Sequence, residues 1–121
     1  MIRSSVETHP FRYICHTIAG IPTRADITLA IEHALQHDDV PILWDLRGVD
    51  VPESAEYERQ LLTLIDERRL QIPSRRRAFL VAEEHFALAQ GLLGELRLSG
   101  DWSVFAVRDE PDALRWLGGS D

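Results

Sequence analysis

Residues 41–54 read Pro-Ile-Leu-Trp-Asp-Leu-Arg-Gly-Val-Asp-Val-Pro-Glu-Ser, and the change of character along them decides the fold. Residues 41–46 form a short apolar run in which polar and apolar positions do not alternate. That is the pattern of a strand with neighbours on both faces, which belongs near the centre of a sheet covered by helices. From Arg47 to Glu53 charged and turn-forming residues take over, so the strand ends there and a loop begins. In open α/β sheets this carboxyl end of a strand is where loops and helix N-termini converge and where ligands and partners dock.

The sequence upstream supplies the first helix. Thr23 followed three residues later by Asp26 has the form of an N-cap with a reciprocal carboxylate, so a helix is predicted to begin near Thr23. Ile27, Ala30, Ile31, Ala34 and Leu35 then recur at the spacing of one helical face, and Asp38, Asp39 and Pro41 close the segment. Before it, Ile2–Glu7 and Phe11–Ile18 alternate around Thr8, His9 and Pro10 as a hairpin, and Gly20 and Pro22 stop the return strand.

Downstream the alternation of strand and helix repeats. Tyr57, Leu61, Leu64, Ile65 and Arg68 mark a second helix that Ile72 and Pro73 end. Residues 77–82 read as a strand, and Phe86, Ala89, Leu92, Leu93 and Leu96 as a third helical stripe ending near Gly100. Gly91 and Gly94 within that stripe read as small residues that allow close helix packing. Residues 102–107 form the last strand, and Asp109 with Pro111 starts a final helix through Leu117, before a frayed tail at 118–121. The expected fold is one α/β domain in the order ββαβαβαβα. Its five-stranded sheet is mixed but mostly parallel, flanked by helices, with the hairpin as an antiparallel edge.

At 121 residues the chain has room for one core, and 45% hydrophobic with 27% charged residues is an ordinary globular balance. The formal net charge of -7 disfavours nucleic acid as a partner. No apolar run reaches the roughly 18 residues of a membrane span, no signal-peptide pattern opens the chain, and the lone Cys15 cannot form an internal disulfide. A reducing cytoplasm is the expected compartment.

Catalytic patterns are missing from the sequence. Cys15 and His16 are neighbours in a strand, so they point to opposite faces and cannot act as nucleophile and base for each other; a structural cysteine is expected. Neither a G-x-S-x-G elbow nor a glycine-rich phosphate loop is present. His33 and His37 have the spacing of two zinc ligands on a helix, but no third ligand stands in the pattern, so they read as a solvated helix end and no metal or cofactor is expected.

Two stretches remain as candidate binding surfaces. One is Asp45, Arg47, Asp50 and Ser54 at the end of the central strand. These residues either present a surface to a protein partner or form a local ion pair and a helix cap. The other is Arg68, Arg69, Arg75, Arg76 and Arg77, a basic cluster in an acidic chain. It suits an anionic lipid headgroup, a membrane surface or an acidic partner, or else is a solvated face balanced by nearby carboxylates. The outer strand of the hairpin also offers an edge at which two copies could pair as a homodimer.

The run PILWDLRGV, preceded by a strand ending in Gly20 and a helix opening at Thr23, resembles the STAS-like proteins, particularly the SpoIIAA-like anti-sigma-factor antagonists. The ending FAVRDEPDALRWL, Phe105 to Leu117, is similar to the closing strand and helix of that group. The resemblance implies a mixed sheet flanked by helices and no enzymatic activity. It also implies a regulatory or interaction module that binds a partner protein, or alternatively a domain that carries a lipid or small apolar ligand, here under residues 86–98. Antagonists of this group are switched by phosphorylation of a serine in an Asp-Ser-Ser-Gly-like turn. In this chain the corresponding stretch is Asp50, Val51, Pro52, Glu53, Ser54, so Ser54 is the implied phosphosite although the Asp-Ser pair and the glycine are absent.

Overall fold

The hairpin, the central strand and the flanking helices are seen in a computed structural model, which describes residues 2–37, 40–50, 56, 59–60, 63, 76–96, 102–106 and 109–118. Strands β1 (Ile2–Glu7), β2 (Tyr13–Gly20), β3 (Ile42–Val49), β4 (Arg77–Val81) and β5 (Trp102–Ala106) lie side by side in that order. Between and after them come helices α1 (Arg24–Leu35), α2 (Phe86–Leu96) and α3 (Glu110–Leu117), with a short 3-10 turn over Glu83–His85 leading into α2. β1 pairs antiparallel with β2, and every later pairing is parallel. The sheet is therefore mixed, with the apolar run at its centre. Of the second predicted helix only Glu56, Arg59, Gln60 and Thr63 are described; they are helical, and Thr63 Oγ1 donates to the Arg59 carbonyl at 2.8 Å.

Each face of the sheet has its own apolar layer. On one face Ile14, Ile18 and Ile42 pack against Ile27, Ile31 and Ala34 of α1, with Trp44 between the two groups. On the other, Tyr13, Leu43, Ala78 and Leu80 pack against Ala113 and Leu117 of α3. The period-2 alternation of β2 and β3 sorts the residues: Ile14, Ile18, Ile42 and Trp44 face α1, while Tyr13 and Leu43 face α3. Helix α1 starts as its sequence dictates. The Thr23 side chain accepts from the Asp26 N–H at 3.2 Å and the Asp26 carboxylate accepts from the Thr23 N–H at 2.9 Å.

Several boundaries differ from the pattern. β2 begins at Tyr13 rather than Phe11, because the Phe11 ring leaves the ladder to pack at a tilt against Tyr13, 5.3 Å between ring centres, and against the end of α3. The ring lies so close to Gly118 that a Cβ there would sit 2.8 Å from it. β3 runs on to Val49, because Gly48 and Val49 pair with Ala19 and Gly20. Thr17 pairs with Asp45 but Ala19 with Gly48, so β3 carries one extra residue over this stretch, a bulge that shifts the alternation beyond it. Val49 thereby joins the Ile18 cluster on the α1 face. The close packing expected at Gly91 and Gly94 is not found among the described residues. Both are exposed, and among the described residues nothing outside their own helix lies within 4 Å of where a Cβ would stand. Asp109 occupies the N-cap position of α3, yet its side chain makes no capping bond, and Pro111 sits in the first turn.

Candidate functional site

The carboxyl end of β3 brings together Asp45 and Arg47, as the sequence expects, and adds a residue from far along the chain. Because Asp45 alternates with Trp44, it faces the α3 side, and the Arg47 guanidinium folds back over it. Arg47 Nε donates to Asp45 Oδ1 at 2.9 Å and Nη2 donates to Oδ2 at 2.7 Å, a two-pronged bond reinforced by the Arg47 backbone N–H at 3.2 Å. The remaining prong, Nη1, donates to Glu110 Oε2 at 2.9 Å. Glu110 opens α3, where a carboxylate is also favoured by the unpaired N–H groups of the first turn. The bracket thus joins the central strand to the start of the last helix.

Electrostatics follow from this geometry. The hydrogen bonds from Arg47 hold the Asp45 carboxyl below its usual range against the opposing effect of burial, and the same contacts raise Arg47. The Asp45 side chain is 15% exposed, whereas Arg47 and Glu110 are 36% and 44% exposed, so the outer arm of the bracket faces water. Asp50 is exposed and its N–H donates to the Gly20 carbonyl at 2.8 Å, which ties together the ends of β2 and β3. Ser54 lies outside the described residues. On the same face Cys15 is partly buried, its thiol pushed up by burial, with Sγ 3.7 Å from Thr17 Oγ1; that setting disfavours a thiolate.

The basic cluster is divided by the fold. Arg76 lies 4.8 Å from the Trp116 ring centre, and its guanidinium donates to the Trp116 carbonyl, which satisfies one of the open carbonyls at the end of α3. Arg77 is 2% exposed within β4, so the expectation that it faces an anionic surface is corrected: its place in the central sheet turns it inward. Arg68, Arg69 and Arg75 lie outside the described residues.

One arrangement escaped the sequence pattern altogether. His16 is fully buried between Ile14 and Ile18, and its Nδ1 lies 2.7 Å from Ser4 Oγ on β1. Its ring is 4.6 Å from Trp44 and meets the His33 ring edge-on at 5.8 Å; His33 in turn is 5.2 Å from His37. His33 is therefore packed against the sheet rather than a solvated helix end. Its four-residue spacing from His37 was visible, but its contact with His16 depends on α1 docking over β2. Burial first, and the neighbouring His33 second, lower His16 to about 4, and burial with His37 lowers His33. The Ser4–His16 pair has the spacing of a nucleophile and its base. However, a base held that low is weak, and no orienting partner reaches His16 Nε2 among the described residues. Among the described residues no group of three or more His, Cys, Asp or Glu is placed to hold a metal ion, and no helix is long and apolar enough to cross a membrane.

No protein-family model matches the chain, and comparison with curated proteins gives no match. Among solved structures the chain is similar to an uncharacterized protein from the DUF3478 family of Shewanella loihica PV-4, described as having a SpoIIAA-like fold. The likeness covers 96% of this chain and 93% of that one, with a TM-score of 0.63 and 21% identity. Together with the mixed, mostly parallel sheet and its flanking helices, this shows that the chain has a SpoIIAA-like α/β fold.

Proposed function

We propose that the chain is a non-enzymatic regulatory module that binds a protein partner through the carboxyl end of β3. The observation that carries this is the Asp45–Arg47–Glu110 bracket: a fixed, half-exposed charged surface at the carboxyl end of β3, with Arg47 held by a half-buried carboxylate on one side and an exposed one on the other. A partner carboxylate can replace Glu110 on the outer prong without disturbing the inner pair, so binding there needs no rearrangement of the sheet. Ser54 follows closely in sequence, and a phosphate on it would add charge next to Glu53 and Glu56, weakening an acidic partner's approach. β1 is an outer strand of the sheet, and its edge is where a second copy would pair.

Photo-crosslinking from position 50, compared between wild type and Arg47→Glu, tests the reading. Loss of the same cross-linked protein in the variant supports it, and an unchanged partner set overturns it. Native mass spectrometry of the purified chain separates the carrier alternative, because a co-purified apolar molecule favours a ligand-carrying domain instead.

A further inference from the structure

The imidazole stack lies on the opposite side of the sheet from the bracket, and the proposed function does not use it. His16 is the one fully buried polar side chain in the row Ile14, His16, Ile18 that α1 covers. Its Nδ1 is matched by Ser4, but Nε2 is buried with no hydrogen-bond partner among the described residues, and so is His33 Nδ1. A neutral imidazole tolerates this, whereas an imidazolium there would be a buried cation without a counter-ion, next to a second ionisable ring 5.8 Å away. We propose that His16, with His33 beside it, forms an acid-operated latch, in which proton uptake at His16 releases α1 from the sheet.

Among the described residues, the groups around the His16 ring offer a charge on it no compensation. On β1 the residue opposite His16 is Ser4, and on β3 it is Trp44, neither of which carries charge. Arg3 and Glu7 on β1, and Asp45 on β3, alternate to the other face of the sheet, and the bracket holds Arg47 there with Asp45. On α1, Asp26 is engaged in the capping box at the far end, Arg24 and Glu32 are exposed, and the group that meets the His16 ring is His33. His33 is itself a base, so a proton on either of these two rings disfavours one on the other. Relief comes from lifting α1, which also uncovers Ile27, Ile31 and Ala34; a helix of 12 residues without its apolar support is marginal in water and frays.

Hydrogen exchange measured by mass spectrometry at a series of pH values reads this directly, as the protection of the α1 peptide relative to the β4 peptide in the same molecule. With His16 lowered from 6.5 to about 4, moving from pH 7.5 to 4.5 should reduce α1 protection at least ~10-fold relative to β4. His16→Leu should hold the ratio constant over that range. If His16→Leu fails to fold, His33→Gln, at a half-buried position, should blunt the loss instead. A wild-type ratio that does not change with pH overturns the latch, and so does an equal loss in wild type and in whichever of these variants folds.

Discussion

Replacing Arg47 and replacing Glu110 should have very different costs, although they are partners in one bracket. Arg47→Gln removes two charge-assisted hydrogen bonds from Asp45 and strands a carboxylate that is 15% exposed. Leaving a largely buried charged group short of its partners costs about 2 kcal/mol. Glu110→Gln breaks only the outer arm, between groups 36% and 44% exposed, where water and salt screen the attraction and the loss is about 0.5 kcal/mol or less. The pH dependence identifies the source. Asp45 is depressed in the folded state, so its contribution is complete above the unfolded value near 4 and is lost as pH falls through the lower folded value. The gap between wild type and Arg47→Gln should therefore be constant from pH 7 to 5 and close only below about pH 4. Urea unfolding of wild type, both single variants and Asp45→Asn with Arg47→Gln measures these terms as a double-mutant cycle. Equal costs for Arg47→Gln and Glu110→Gln, or an Arg47→Gln gap that persists unchanged to pH 3, would refute the account.

Three further outcomes follow from the packing. Thr23→Ala removes the acceptor for the Asp26 N–H and should cost about 1 kcal/mol, read as a melting point lower by about 4 °C for a chain of this length; no measurable shift would mean that the box is satisfied some other way. Leu80→Ala, at a fully buried position in β4 beneath α3, should cost about 2–5 kcal/mol in denaturant, and a cost under 1 kcal/mol would contradict the packing described. Because His16 titrates lower in the folded chain than in the unfolded one, its stabilising effect is whole above about pH 6.5 and drains away as pH falls towards 4. Lowering from 6.5 to about 4 corresponds to about 3 kcal/mol, which His16→Leu should abolish in urea titrations across that range.

Most of the frame was legible because it is written in local signals. The unbroken apolar run before Arg47 named the central strand, and Thr23 with Asp26 named the start of α1, since each depends only on residues within one turn or one strand. Asp45 and Arg47 were legible as a pair for the same reason. Their third member, Glu110, was not, because 63 residues separate it from Arg47 and only the docking of α3 beside β3 brings them together. The imidazole stack failed in the same way: His33 and His37 share a helical face, but His16 joins them across a strand-to-helix contact that no spacing encodes. Arg76 and Arg77, adjacent in a basic run, went to a helix end and to the interior because the start of β4 falls between them.

The extra residue in β3 has a consequence for how the chain tolerates change. Up to Asp45 the parity of a residue number tells which helix it meets; past the bulge that parity is reversed, so Val49 lies under α1 and not under α3. Removing one residue between Asp45 and Gly48 would restore an unbroken ladder with Val49 still opposite Gly20 and under α1, whereas straightening the strand at its full length would pair Gly48 with Gly20 and turn Val49 over to α3. Length at this point is thus as much a part of the encoded information as residue identity, and an alignment that closed the one-residue gap would mispair everything from Gly48 onward.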